Sequence, residues 1–110
     1  MGRYAAFPGG EILERGLRDL KEGVVSVESL LVEIGLPRLR MAGIRIPKLR
    51  ASRIPAERRL YRLLCREEGD GAHSAYNAWI GRLVSLERAL ESEQGQAQEG
   101  RASSRRAPRT

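Results

Sequence analysis

The chain has 110 residues, of which 20 are basic and 14 acidic, so its formal net charge is +6. A single Cys and a single His exclude a disulfide framework and a cysteine-based zinc cluster, and no apolar run approaches the ~18 residues of a membrane span. Because the sequence also lacks an apolar secretory leader, we expect one small cytoplasmic domain that uses no metal ion and no cofactor.

The first third of the sequence predicts two helices. Apolar residues recur every three or four positions between residues 11 and 24, which is the spacing of one helix face and predicts a helix over residues 11–22. These residues are Leu13, Leu17, Leu20 and Val24, with Ile12 beside them. Gly23 is placed to end this helix, and Ser26 is placed to cap a second helix that ends at Gly35.

Residues 37–54 predict a short helix and a connection. Pro37 stands where a new helix would start, which predicts a short helix over residues 37–42. Residues 44–54 are bracketed by prolines and lack a helical pattern. Because this stretch keeps several large apolar residues, we expect an ordered connection that packs against the domain. These residues are Ile44, Ile46, Leu49 and Ile54.

Two longer helices follow. Pro55 suits the first turn of a helix over residues 55–68, and Gly69–Gly71 is the clearest turn in the chain. A helix over residues 72–93 comes next, because its apolar residues are spaced four, three, four, three and four positions apart. These residues are Ala72, Tyr76, Trp79, Leu83, Leu86 and Leu90. We expect Trp79 to be a core anchor.

The end of the chain has a different composition from the rest. From Gln94 onward there is no large apolar residue, and a segment that can bury no apolar surface is expected to be disordered. The sequence therefore predicts an all-α fold. We expect a compact bundle of four main helices plus one short helix over residues 9–93, followed by a disordered, basic, Arg-rich tail over residues 94–110.

The basic residues are concentrated in the middle of the chain. Residues 37–66 contain ten basic residues and one acidic residue, a net charge of +9. A basic track can bind a phosphate backbone without reading base sequence, so the leading prediction is a non-enzymatic module that binds RNA or DNA. Aromatic residues are too few to predict base stacking. The candidate nucleic-acid-binding residues are Arg38, Arg40, Arg45, Lys48, Arg50, Arg53, Arg58, Arg62 and Arg66.

Other interpretations of the charge and of the apolar pattern stay open. Arg58, Arg62 and Arg66 recur every four residues, and acidic residues of the neighbouring helices could neutralise them within the chain. An acidic protein partner would complement the same residues. The apolar stripe of the helix over residues 72–93 is longer than the other helices, which predicts a homodimer through this helix. A structural subunit of a homo-oligomer that binds no ligand is a related alternative.

His73 is the only histidine, and three roles are open to it. It could hydrogen-bond loop backbone together with Asn77 and fix the preceding turn. It could form a nucleophilic dyad with Cys65, although the leucines beside Cys65 favour a buried, inert thiol. Arg66 precedes it with six residues between them, which resembles the Arg–His signature of the HEPN-domain ribonucleases, also small helical bundles. That resemblance implies a metal-independent ribonuclease in which Arg66 binds phosphate and His73 performs acid–base work. No residue is assigned as catalytic.

Overall fold

A computed structural model of the chain describes residues 4, 6–49 and 51–106, with side chains as far as Glu93. The regular elements in these residues are all helical, which confirms the predicted all-α fold. A 3-10 turn over Gly69–Gly71 joins the last two helices. In chain order the helices are α1 (Gly10–Glu22), α2 (Val27–Ile34), α3 (Leu36–Met41), α4 (Ala56–Glu68) and α5 (Ala72–Arg106).

The corner between α1 and α2 is fixed by its own hydrogen bonds. Gly23 ends α1 as predicted, in the left-handed conformation with a φ of 73°. The Ser26 Oγ accepts a hydrogen bond from the Ser29 backbone N–H at 3.1 Å, and the Ser29 Oγ accepts one from the Ser26 backbone N–H at 2.9 Å. The Ser26 hydroxyl also donates to Asp19 Oδ2 at 2.7 Å. This bond satisfies the buried Asp19 carboxylate and ties the end of α1 to the start of α2.

Helix α1 buries most of the predicted face, since Leu17 and Leu20 are also partly buried against the core. Ile12 and Leu13 are fully buried, whereas Val24 lies beyond the end of the helix and is 47% exposed. Helix α2 approaches α1 closely at Gly16, where an added Cβ would lie 2.7 Å from the Glu28 backbone oxygen. The α1 interface is therefore centred on a glycine, which a pattern of large apolar residues cannot indicate.

The core lies between α2 and its neighbours. Helices α1 and α4 both pack on α2, α4 packs on α5, and α3 contacts both α2 and α5. The side chains that form this core have relative exposures of 9% or less. They are Ile12, Leu13, Val27, Leu30, Leu31, Val32, Leu39, Ile44, Leu60, Leu64, Ala72, Leu83, Leu86 and Leu90.

The connection between α3 and α4 is as predicted in its described residues. It contains no helix or strand there, and Ile44 is buried in the core. Helix α4 begins at Ala56, one residue later than predicted. Pro55 keeps an extended ψ of 147°, and its carbonyl accepts a hydrogen bond from the Arg59 backbone N–H at 3.1 Å. Pro55 thus precedes the first turn instead of belonging to it.

Helix α5 has the predicted start and a later end. It begins at Ala72 and continues to Arg106 instead of ending at Glu93. Alanine, glutamine, glutamate and arginine are strong helix formers, so local hydrogen bonding alone favours a helical backbone here. The disorder expected for residues 94–110 stays a prediction, and residues 107–110 lie outside the described part of the chain.

The apolar stripe of α5 is covered within the chain over most of its predicted length. Leu83, Leu86 and Leu90 are 2%, 0% and 7% exposed. Trp79 packs against the core but is only partly buried, so it is a weaker anchor than predicted. Because the stripe already has intramolecular neighbours, it gives no physical reason for a partner, and the homodimer stays a prediction.

Candidate nucleic-acid interface

Helix α4 separates its apolar and basic side chains onto opposite faces. Leu60 and Leu64 are buried in the core. At ~100° per residue, Arg58 and Arg62 lie about 160–200° around the helix from Leu60, and Arg66 follows one turn later. All three arginines are exposed. We refer to Arg58, Arg62 and Arg66 as the α4 arginine ridge.

The α4 arginine ridge has no acidic partner among the described side chains. No carboxylate oxygen of these side chains lies within 4.0 Å of a ridge guanidinium. Glu57 lies instead toward α5, where burial raises the pKa of the Tyr76 hydroxyl and the Glu57 charge raises it further. Like charges four residues apart destabilise a helix slightly, so helix stability does not explain the ridge.

Arg38, which the sequence places in the same basic set, pairs with α5. Its Nε and Nη2 atoms donate to the two carboxylate oxygens of Glu91 at 3.0 and 2.8 Å, and its Nη1 lies 3.3 Å from Glu87 Oε1. Burial raises the pKa of Glu87, whereas the hydrogen bond from Arg38 lowers the pKa of Glu91. The Arg38 charge is therefore matched within the chain, and the pairing holds α3 on α5.

Arg59 is the second basic residue of the central segment with internal partners. Its Nη2 donates to Glu33 Oε1 at 2.5 Å, and its Nε donates to the Ile54 carbonyl at 3.1 Å. The sequence did not single out Arg59 as a binding residue. Its place on α4, one position after Arg58, turns it toward α2, where Glu33 lies.

Of the remaining predicted residues, Arg40 lies on α3, and Arg45, Lys48 and Arg53 lie on the α3–α4 connection. Arg40, Arg45, Lys48 and Arg53 are exposed and have no carboxylate within 4.0 Å among the described side chains, while Arg50 lies outside them. Arg38 meets α5 at Glu87 and Glu91, whereas Arg66 lies on the last turn of α4, which ends beside the start of α5. At 1.5 Å per residue, the stretch of α5 from residue 72 to residue 91 is ~28 Å long. Arg38 and Arg66 therefore lie near opposite ends of this stretch.

The aromatic side chains near this region already have partners. The Arg82 guanidinium lies 4.6 Å from the centroid of the Trp79 ring, and Tyr61 and Tyr76 meet edge to face at 5.7 Å. Arg82 also forms an ion pair with Glu11 of α1. The Arg82–Trp79 contact was not predicted, although a spacing of three residues on a helix indicates it. No platform for base stacking is formed by these side chains.

His73 and Cys65 are both exposed, and no hydrogen bond joins them. The expectation of a buried Cys65 thiol is wrong, because this position falls on the solvent face of α4. His73 Nε2 lies 3.4 Å from Asn77 Nδ2 on the same helix, so these two residues contact each other and not the loop backbone. Arg66 lies across the Gly69–Gly71 turn from His73, with no hydrogen bond between them. The ribonuclease alternative stays a prediction, since Arg66 and His73 are not joined by a hydrogen bond.

The chain matches no protein-family model, no curated protein and no solved structure. Within residues 4, 6–49 and 51–106, no group of three or more His, Cys, Asp or Glu side chains is placed to hold a metal ion. None of the helices in the same residues is both long enough and apolar enough to cross a membrane. The α4 arginine ridge differs from the other unpaired basic residues in that its three members share one face of a single helix.

Proposed function

We propose that the protein binds the sugar–phosphate backbone of RNA or DNA through the α4 arginine ridge. The observation that carries the proposal is the exposure of Arg58, Arg62 and Arg66 on one helix face with no carboxylate of the described side chains beside them. A guanidinium presents a planar set of donors that matches a phosphate group. Three such groups on one rigid helix form a linear anion-binding surface.

The spacing of the ridge suits successive phosphates along a strand. Consecutive ridge residues are separated by one helical turn, ~6 Å along the axis, and the ridge spans ~12 Å. A phosphate between two arginines would relieve their mutual repulsion, which costs a few tenths of a kcal/mol for each pair of like charges. The folded protein thus presents a surface that an anion stabilises.

Binding of this kind is expected to tolerate any base sequence. The ridge offers charge-assisted contacts to phosphate, and the nearby Trp79 and Tyr61 rings are engaged with other side chains. Without stacking or base-edge contacts, affinity comes from counterion release and falls steeply as salt is added. RNA and DNA of unrelated sequence should therefore bind alike.

The test is a gel-retardation assay with generic RNA and DNA at ~50 mM salt, where phosphate contacts are strongest. The variant replaces all three ridge arginines by glutamine: Arg58→Gln, Arg62→Gln and Arg66→Gln. We expect it to lose about a thousandfold in affinity for every sequence, because counterion release contributes roughly tenfold for each phosphate contact at this salt concentration.

A matched control separates the ridge from the overall charge of the protein. It carries Arg15→Gln, Arg18→Gln and Arg88→Gln, three exposed arginines on α1 and α5, and it loses the same charge. The proposal expects this control to bind nearly as well as the parent. Equal losses in both variants would mean that net charge and not the ridge is responsible.

An acidic protein partner is the competing interpretation of the ridge. An array of carboxylates on a partner could pair with the same guanidiniums. The assay distinguishes the two, because a site shaped only for a protein would retard neither RNA nor DNA at ~50 mM salt. That outcome contradicts the nucleic-acid proposal.

A further inference from the structure

A cavity of about 560 Å³ lies beside the α1–α2 corner. Its walls are the end of α1, the residues that follow it, one side of α2 and part of the α3–α4 connection. Arg59 is the one α4 residue in its lining, so the α4 arginine ridge does not take part in it. The volume falls within the ~300–1,000 Å³ that is typical of small-molecule sites.

The cavity presents apolar surface that the fold does not cover. Val24 and Val25 line it, and they are 47% and 68% exposed. Leu20 and Leu49 are half-buried beside them. Adjacent exposed valines at the edge of a concave site mark a surface on which an apolar ligand could lie.

The cavity also contains both lysines of the protein. Of the 20 basic residues only Lys21 and Lys48 are not arginine, and both line the cavity, from α1 and from the connection. No carboxylate oxygen of the described side chains lies within 4.0 Å of either ammonium group. Two lysines far apart in sequence are thus brought to one site with their charges unmatched.

The remaining charges of the cavity leave it positive. The Arg59 guanidinium is paired with Glu33, so these two lining residues cancel. Glu22, the other lining carboxylate, is exposed at the end of α1. Lys21 and Lys48 carry two positive charges and Glu22 carries one negative charge, so the lining has a net charge of +1.

We infer that this cavity binds a small amphipathic carboxylate. The anionic head would lie between Lys21 and Lys48, and the apolar chain would cover Val24 and Val25. Charge complementarity favours a monoanion over a neutral or cationic ligand, and the exposed valines favour an apolar body over a compact anion such as phosphate. The inference stands on different residues from the α4 arginine ridge and does not depend on the proposed function.

Octanoate is the probe, measured by amide chemical shifts of the uniformly ¹⁵N-labelled full chain. We expect saturable shifts in residues 20–25, 48, 49, 51 and 52 at millimolar concentration. Two further probes keep the eight-carbon chain and change the head: 1-octanol is neutral and octyltrimethylammonium is cationic. The expected order of affinity is octanoate first, then octanol, with the cation weakest.

The variant Lys21→Gln with Lys48→Gln tests the head group. We expect it to weaken octanoate by about tenfold and to leave octanol unchanged, because a hydrogen bond to a charged group is lost only for the anion. The control is Arg15→Gln with Arg18→Gln, which removes the same charge from α1 outside the cavity and should keep the parent affinity. Val25→Ser tests the apolar body and should weaken octanoate and octanol alike.

Several outcomes would overturn the inference. They are an absence of saturable shifts with octanoate, equal affinity for octanoate and octanol, and equal losses in the lysine variant and in its arginine control. Helical circular dichroism of each variant confirms that it is folded. If a folded Lys21→Gln, Lys48→Gln variant binds octanoate as tightly as the parent does, the two lysines do not take part in binding.

Discussion

Replacing Gly16 by alanine tests the packing of α1 on α2. In an exposed helix interior, alanine stabilises the helix relative to glycine by about 0.5–1 kcal/mol. At Gly16 the added Cβ would lie 2.6 Å from Val32 Cγ2 and 2.7 Å from the Glu28 backbone oxygen. Val32 is fully buried and β-branched, so its methyl has little room to move, and the Glu28 carbonyl moves only if α2 moves.

The two effects have opposite signs, and the clash is the larger one. Inserting a methyl group into a well-packed contact typically costs about 1–3 kcal/mol. After the gain of about 0.5–1 kcal/mol in helix propensity, Gly16→Ala should lower the free energy of unfolding by up to about 2.5 kcal/mol. That is a substantial part of the ~5–15 kcal/mol expected for a domain of this size.

Gly81→Ala is the matched control. Gly81 also lies inside a helix, but an added Cβ there would meet nothing within 4 Å. This variant should be more stable than the parent by about 0.5–1 kcal/mol. Urea unfolding followed by circular dichroism measures both changes from the shift in midpoint at an unchanged m-value. If the Gly16→Ala variant is stabilised as much as the Gly81→Ala variant, α1 and α2 do not approach each other closely at Gly16.

Three further predictions follow from the packing and charge of α5. Trp79→Ala should lower the free energy of unfolding by about 2–3 kcal/mol, which is less than the ~3–5 kcal/mol lost with a fully buried tryptophan. Thermal unfolding measures this change, and a loss of about 4 kcal/mol or more would show that the ring is fully buried. Glu87 has a raised pKa in the folded state, so its contribution to stability is lost as pH rises through that pKa, whereas Glu91 has a lowered pKa and its contribution is lost as pH falls. Unfolding curves between acidic and neutral pH should therefore show Glu87→Gln gaining stability relative to the parent as pH rises and Glu91→Gln losing it, and parallel curves would contradict this. Leu86→Ala should lower the free energy of unfolding by about 2–5 kcal/mol, equally at all protein concentrations, because Leu86 is buried within one chain. A loss that grows with concentration in sedimentation and unfolding experiments would point to a dimer interface.

Local sequence signals predicted most of the helices, because short-range chemistry determines where they begin and end. Gly23 and Ser26 act through hydrogen bonds to residues within four or five positions, and both behave as expected. The leucines of α4 recur at helical spacing and do face the core, although Leu63 is only partly buried. These features depend on periodicity and capping and need no knowledge of the tertiary fold.

Features that depend on tertiary contacts were not predictable in the same way. The burial of α1 around Gly16 reflects the approach of α2, and the pairing of Arg38 with Glu87 and Glu91 joins residues about fifty positions apart. Composition identified the basic segment but could not separate Arg38, which is paired, from the exposed Arg62 of the ridge.

The cavity illustrates the same limit of local patterns. Lys21 and Lys48 are 27 positions apart and carry no shared motif, and only the return of the α3–α4 connection to the end of α1 brings them to one site. The sequence shows that lysines are rare among the basic residues. It does not show that the two lysines lie beside exposed valines, because that placement depends on the tertiary fold.

The salt dependence of nucleic-acid binding tests the central claim most directly. Fluorescence anisotropy with a labelled DNA duplex gives the binding constant at each salt concentration, and the slope of log Kobs against log salt concentration is about −0.9 for each phosphate contact. Replacing Arg58, Arg62 and Arg66 by glutamine should make this slope shallower by about 2.7, whereas the Arg15, Arg18 and Arg88 control should keep the parent slope. An unchanged slope in the ridge variant would contradict the account, because the ridge would then make no phosphate contact.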